Sequence, residues 1–207
     1  VFLMRLSDRS VWSSLASIAN VMGALLMVIG VAMFLPVGCS FFYNETDFWP
    51  LLSSALIAIL VGGPTWWFLR DSKDLDLREA FIVTTAGWVI ISAFSTLPFI
   101  FHGSIPSFTN AFFEMMSGYT TTGATILNDI EALPHGLLLW RSETHFLGGM
   151  GFISLAILIL PHGISGARLF RAESSPGQLI TGERFKARNR DAVVSLWGIY
   201  LFLNILL

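Results

Sequence analysis

Phe108-Thr109-Asn110-Ala111-Phe112-Phe113-Glu114-Met115-Met116-Ser117 runs directly into Gly118-Tyr119-Thr120-Thr121-Thr122-Gly123-Ala124-Thr125. The first part is a helix candidate. His102-Gly103-Ser104-Ile105-Pro106 turns the chain just before it, and Ser107 or Thr109 stands where a cap is needed. From 108 to 117 such a helix is about 15 Å long at 1.5 Å per residue, half of a bilayer's hydrocarbon core of about 30 Å. The second part resists helix. Three consecutive β-branched threonines disfavour it, and the flanking glycines allow backbone angles closed to other residues, so the segment is expected to be extended. Asn128-Asp129-Ile130-Glu131 follow, polar, acidic and free of Lys or Arg.

Composition says what surrounds this segment. Of 207 residues, 54% are hydrophobic and 13% charged, where an average soluble domain has about 25% charged. Mean hydropathy is +0.70. With 18 Phe and 7 Trp the chain is too apolar for disorder, and its one cysteine, Cys39, excludes an internal disulfide framework. A formal net charge of -2 offers no basic face for nucleic acid. The class that remains is an all-α integral membrane protein.

Four charge-free stretches reach the roughly 20 residues that a spanning helix needs: residues 10–44, 48 to Arg70 (which ends it), 80–113 and 144–167. A fifth starts at Ala192 and reaches Leu207 after 16 residues with no polar stop, so the sequence reads as cut off inside a helix. The first run is too long for a signal-peptide core and lacks a small-residue cleavage site, which makes it a retained helix. Trp66-Trp67-Phe68-Leu69-Arg70 closes the second as an aromatic belt with a basic anchor. Trp12, Trp49 and Trp140 also fall at expected membrane edges, whereas Trp88 and Trp197 are expected to pack within or between helices.

With the amino terminus in the cytoplasm, Arg5, Arg9, Arg70, Lys73, Arg78, Arg168, Arg171, Arg184, Lys186, Arg188 and Arg190 share that side. They are 11 of the 12 Lys and Arg residues, and only Arg141 lies outside. The positive-inside rule therefore selects this orientation. The threading closes only if the third run crosses once, re-enters from outside and leaves again on the outside. Taken alone, a Thr-rich stretch with glycines reads as an outer polar loop. The half-length helix before it, the charge parity and a spanning helix after it favour a re-entrant pore loop. Extended backbone at membrane depth is tolerated only where protein buries it or where it lines a water-filled cavity. A row of carbonyls facing such a cavity replaces the water shell of a dehydrated cation, and the short helix aims its negative carboxyl end the same way.

Phe112-Phe113-Glu114-Met115-Met116-Ser117-Gly118-Tyr119-Thr120-Thr121-Thr122-Gly123-Ala124-Thr125 resembles the first pore loop of the TrkH family, in the Trk/Ktr/HKT superfamily of cation transporters. Trp140-Arg141, Phe146-Leu147-Gly148-Gly149-Met150-Gly151 and Leu169-Phe170-Arg171-Ala172-Glu173 resemble the helix and linker that follow it there. The likeness implies four helix–pore loop–helix units around one pore, with two extra amino-terminal helices. On that scheme residues 1–79 hold the extra pair (15–36 and 51–69) and a cytoplasmic linker. Residues 80–161 form the first unit, with helices at 80–101, 108–117 and 137–160; 162–190 are a cytoplasmic linker, and 191–207 begin a second unit. Against the channel filter Thr-Val-Gly-Tyr-Gly the chain reads Thr121-Thr122-Gly123-Ala124-Thr125, matching the first glycine and not the second.

The resemblance further implies potassium as the transported ion, with Thr120, Thr121, Thr122 and Gly123 lining its path through backbone carbonyls. It implies no cofactor in this chain, a bacterial inner-membrane location, a homodimer, and a cytosolic nucleotide-binding regulatory subunit of the TrkA type. The transport it implies is either passive or a symport. The alternative class is a membrane scaffold, which needs no re-entrant segment; cysteine accessibility along residues 117–125 separates the two. An enzyme would need a nucleophile–base pair or metal cluster at matching depth, and the sequence shows none.

Other constellations read more simply. Gly148-Gly149-Met150-Gly151 has no strand before it, so it is a helix surface that lets a neighbour approach, expected to be the short helix, rather than a phosphate loop. His102, His135, His145 and His162 are scattered between sides, and Glu143 and His145 point to different helix faces. Arg141 and His145 share a face, with a surface or interfacial role expected. Glu114 is a costly acid at membrane depth; it either attracts cations or bonds the backbone behind the loop, and the second is favoured. The segment 71–79 is a solvated turn, and the basic residues 184–190 suit anionic lipid or a docking partner.

Overall fold

The computed structural model describes residues 2–69, 77–159 and 194–203, and these are helical with connecting turns. The helices are α1 (Phe2–Ala32), α2 (Phe34–Tyr43), α3 (Phe48–Phe68), α4 (Leu77–Ser95), α5 (Leu97–His102), α6 (Phe108–Tyr119) and α7 (His135–Ile159), followed by α8 (Val194–Leu203). The linker expected at 162–190 lies outside the described residues. The chain divides into two compact units, residues 1–146 and 147–207. The first carries α1 to α6 and the start of α7; the second carries the rest of α7 and α8.

Among the described residues three apolar stretches are long enough to cross a membrane: Trp12–Tyr43, Phe48–Phe68 and Phe81–His102. The chain is an all-α integral membrane protein. Two of these spans are broken rods, and proline is the cause each time. Pro36 has no N–H for the carbonyl of Ala32, and α1 yields to α2 at Met33 rather than ending near Pro36. Pro98 has none for Phe94, and α4 yields to α5 at Thr96, where sequence predicts one helix over 80–101. At the break the Thr96 hydroxyl donates to the Ala93 carbonyl at 2.7 Å.

α1 packs along α3 and against α4, and α4 packs on α6. The α1–α3 seam closes at Gly23 and Gly62. A Cβ on Gly62 would lie 2.6 Å from the Gly23 carbonyl oxygen, so only glycine permits this backbone approach. The turn between α2 and α3 carries Glu45 and Asp47. Thr46 in the same turn lies 3.1 Å from the His102 ring at the end of α5.

Candidate functional site

α6 is 12 residues, about 18 Å at 1.5 Å per residue, and still well short of a membrane. It starts after Ser107, whose side chain makes no capping bond, and runs two residues past Ser117. Both extra residues are held from outside the helix. Gly118 faces α7, where an added Cβ would collide with the Thr144 hydroxyl. Tyr119 is buried, its hydroxyl 2.8 Å from that of Ser95 and its ring 6.1 Å from Trp88. Trp88 thus packs between helices, as its position in mid-run predicts.

Sequence predicts extended backbone from Gly118 onward, and neither the helical Gly118 and Tyr119 nor the next two residues follow it. Instead Thr120 and Thr121 complete one more turn off the helix end. The Thr120 amide and hydroxyl both donate to the Met116 carbonyl, at 2.9 and 2.8 Å, and the Thr121 amide donates to Gly118. The hydroxyl competes for the last helical carbonyls, which is why threonine closes this end rather than opening it. Thr121 then takes a φ of 53° and Gly123 a φ of 76°. The left-handed region is natural for glycine and rare for a β-branched residue. Irregular backbone continues from Thr122 to Leu127.

All four residues assigned to the ion path, Thr120, Thr121, Thr122 and Gly123, are therefore consecutive, exposed and placed at the carboxyl end of α6. Their carbonyls differ in use. That of Thr120 accepts the Thr121 hydroxyl at 2.8 Å. Two residues on, the Ala124 carbonyl is turned back, accepting the Ser117 hydroxyl at 2.6 Å. Between them the carbonyls of Thr121, Thr122 and Gly123 accept no hydrogen bond from the described residues. The Thr122 amide is meanwhile tied back to the Ser117 carbonyl at 3.0 Å. Ser117 thus fastens both limbs of the arch to the helix.

Behind the arch lies Glu114, 1% exposed. Its carboxylate accepts three donors: the Thr125 hydroxyl at 2.9 and 3.0 Å, the Ile126 amide at 3.0 Å and Nε of Arg141 at 2.6 Å. Glu114 therefore bonds the backbone behind the loop. Arg141, which its spacing with His145 assigns to a surface, has a side chain only 14% exposed and forms this ion pair. Trp140, assigned to a membrane edge, is fully buried, and its indole N–H donates to the Ser95 carbonyl at 3.1 Å. The break at Thr96 makes that bond possible: the Phe99 amide bonds Thr96, leaving Ser95 free to accept.

The start of α7 is capped across the chain. Asp47, fully buried, accepts the Leu137 amide at 2.9 Å and the Ser40 hydroxyl. Glu45 accepts the His135 amide and faces its ring Nδ1, both at 2.7 Å, while Tyr43 stacks on that ring at 4.1 Å. Two carboxylates thus sit at the positive end of α7. Burial alone would raise the Glu45 carboxyl, but the bonds from His135 and the Gly136 amide hold it below the usual carboxylate range. Ser95, Ser117 and this cap carry no local sequence signal, since their partners lie elsewhere in the chain or in a conformation that composition does not specify.

Comparison with known proteins places the arrangement. The family profile described as TrkH, cation transport protein, matches residues 51–207. The chain is 35% identical over 192 residues to the Trk system potassium uptake protein TrkH of Escherichia coli (strain K12), covering 91% of this chain and 39% of that protein. It is 39% identical over 164 residues to the Trk system potassium uptake protein TrkI of Halomonas elongata, covering 77% and 33%. It superimposes on the crystal structure of the potassium transporter TrkH from Vibrio parahaemolyticus with a TM-score of 0.75 and 31% identity, over 92% of this chain and 38% of that one. The chain therefore spans about two fifths of the length of the TrkH proteins it matches.

Proposed function

The chain belongs to the TrkH family of cation transport proteins, and from that premise we propose that it is the amino-terminal portion of the pore-forming subunit of a Trk-type potassium uptake system. Its role is to conduct potassium, and the segment from Thr120 to Gly123 is its share of a selectivity filter on a re-entrant loop. One observation carries this reading: among the described residues the carbonyls of Thr121, Thr122 and Gly123 accept no hydrogen bond, and these exposed residues follow directly on the negative end of a short helix dipole. A single arch supplies about a quarter of a fourfold filter, so ion passage belongs to the complete protein.

The rest of the assignment rests on the family likeness and the charge pattern. Residues 1–79, 80–161, 162–190 and 191–207 are the extra helices, the first unit, a cytoplasmic linker and the start of a second unit. The protein lies in the bacterial inner membrane among its lipids with the amino terminus in the cytoplasm, forms a homodimer, and meets a TrkA-type nucleotide-binding subunit on its basic cytoplasmic side.

Gly123→Ser in the complete protein tests the filter assignment. An added Cβ at Gly123 meets nothing within 4 Å, so the penalty is conformational rather than steric. A non-glycine residue in the left-handed region costs roughly 1–2 kcal/mol, comparable to the 1.4 kcal/mol that changes a selectivity ratio tenfold. Potassium and sodium fluxes in proteoliposomes should show normal insertion and a reduced preference for potassium. An unchanged ratio in a normally inserted variant removes Gly123 from the filter.

A further inference from the structure

Glu114 is an acid beside a cation path, but the structure denies it the part of a cation attractor. Its side chain is fully covered. Three donors from two sides occupy the carboxylate: Thr125 and Ile126 from the outgoing limb of the arch, and Arg141 from α7. Arg141 also cancels its charge at 2.6 Å. A buried ion pair of this kind adds little net stability, because the desolvation of both charges offsets their attraction. What it supplies is geometry: a charged acceptor that holds Thr125 and Ile126 at one distance from α6. The Thr125 hydroxyl passes the constraint on, accepting the Leu127 amide at 3.0 Å.

Resting on the filter reading above, we propose that Glu114 and Arg141 are positioning residues for potassium selectivity, a charge-neutral clamp that fixes the outgoing limb and hence the spacing of the Thr121, Thr122 and Gly123 carbonyls. The incoming limb is held by the Ser117 carbonyl, which accepts the Thr122 amide, while the Ser117 hydroxyl ties the outgoing limb only at Ala124. The outgoing limb leaves the helix and has exposed residues from Thr121 to Ile126. Without the clamp nothing among the described residues ties Ile126 to α6. The arch would then relax around whichever ion enters, and discrimination by carbonyl spacing would fall while passage continued.

The test uses the complete protein in liposomes, with potassium and sodium fluxes measured for Arg141→Lys, Glu114→Gln, their double variant and Thr125→Val. Arg141→Lys keeps the charge and loses the fixed guanidinium geometry. Thr125→Val removes one donor at an exposed position, so it folds whatever becomes of the buried pair. Each single variant should keep potassium flux and lose about tenfold in potassium-over-sodium ratio, the change that 1.4 kcal/mol produces. The double variant should lose no more than the larger single loss, because one clamp is being broken twice. Unchanged ratios in folded Arg141→Lys and Thr125→Val overturn the proposal. So does Glu114→Gln lowering both fluxes in equal proportion, which is the signature of an attractor. A wild-type protein that carries no potassium overturns the filter reading beneath it instead.

Discussion

Replacing Gly118 with alanine should loosen α6 from α7, and the structure says by how much. A Cβ built on Gly118 collides with the Thr144 hydroxyl and lies 3.2 Å from Thr144 Cβ and 3.6 Å from Nδ1 of His145. Thr144 cannot swing aside freely: it is fully buried, and its hydroxyl donates to the Arg141 carbonyl at 2.6 Å. Overpacking of this kind costs about 1–3 kcal/mol, while alanine gains about 1 kcal/mol over glycine inside a helix. The net expectation for Gly118→Ala is a loss of up to about 2 kcal/mol on those two figures. Thr144→Ala alone forfeits a hydroxyl bond worth about 1 kcal/mol. Together the two should be no worse than Thr144→Ala alone, since the colliding atom is gone and the helical gain remains. Thermal unfolding in detergent, run as a double-mutant cycle, gives the coupling. Gly118→Ala unfolding like wild type, with additive behaviour across the cycle, would refute a tight α6–α7 contact at this position.

Two further perturbations address the start of α7. Asp47→Ala strips the acceptor from the buried Leu137 amide and from Ser40. An orphaned buried donor costs about 1–3 kcal/mol, so the variant should unfold at lower temperature, and an unshifted transition would show that Asp47 does not cap α7. Glu45 titrates below its ordinary value because His135 and Gly136 stabilise its charged form against the cost of burial. A depressed carboxyl contributes stability that is full above its ordinary value of about 4.3 and lost as pH falls through the lower folded value. Wild type should therefore lose stability on acidification below about pH 4.3, and Glu45→Gln should lose less over the same window. Parallel pH profiles for the two proteins would exclude the pair from the acid response.

The membrane class and three of the spans are legible in the sequence because hydropathy acts over short stretches, whereas the Thr-Gly segment, expected to be extended, begins instead as one more turn at Thr120 and Thr121. Pro106 marks where α6 begins, but its far end runs past Ser117 to Tyr119 because Gly118 and Tyr119 are held by α7 and α4. Tertiary partnerships are not legible in this way. Arg141 and His145 at helical spacing read as a surface pair, and nothing near them in the chain says that Glu114, 27 residues earlier, lies within reach. Trp140 reads as an interfacial aromatic because it borders a charged residue, yet it is a core residue whose acceptor exists only because Pro98 breaks the helix at Thr96. The glycine that carries the close approach of α6 to α7 is Gly118, inside the segment whose extended shape sequence predicts.

The exposed arch poses an energetic problem that these partnerships answer. Thr121 in the left-handed region carries a cost of roughly 1–2 kcal/mol, and a strained residue persists only where its surroundings over-determine it. Here they do so from behind. The Thr121 and Thr122 amides return to the helix, Ser117 holds Ala124, and the charged acceptor Glu114 holds Thr125 and Ile126. Hydrogen bonds to a charged group contribute about 1.5–3 kcal/mol each, enough to offset one left-handed threonine. Each of these bonds ties the arch to α6, and none of them uses the carbonyls of Thr121, Thr122 or Gly123, which accept no hydrogen bond from the described residues. The same logic extends outward. α6 can brace the arch only if it is itself fixed, and it is fixed to α4 through Tyr119 and Ser95 and to α7 through Gly118, Thr144 and Arg141. α7 is in turn pinned at its start by Glu45 and Asp47. The turn between α2 and α3 is thus tied to the start of α7 by its two carboxylates, and their removal would release the end of the helix that positions Arg141.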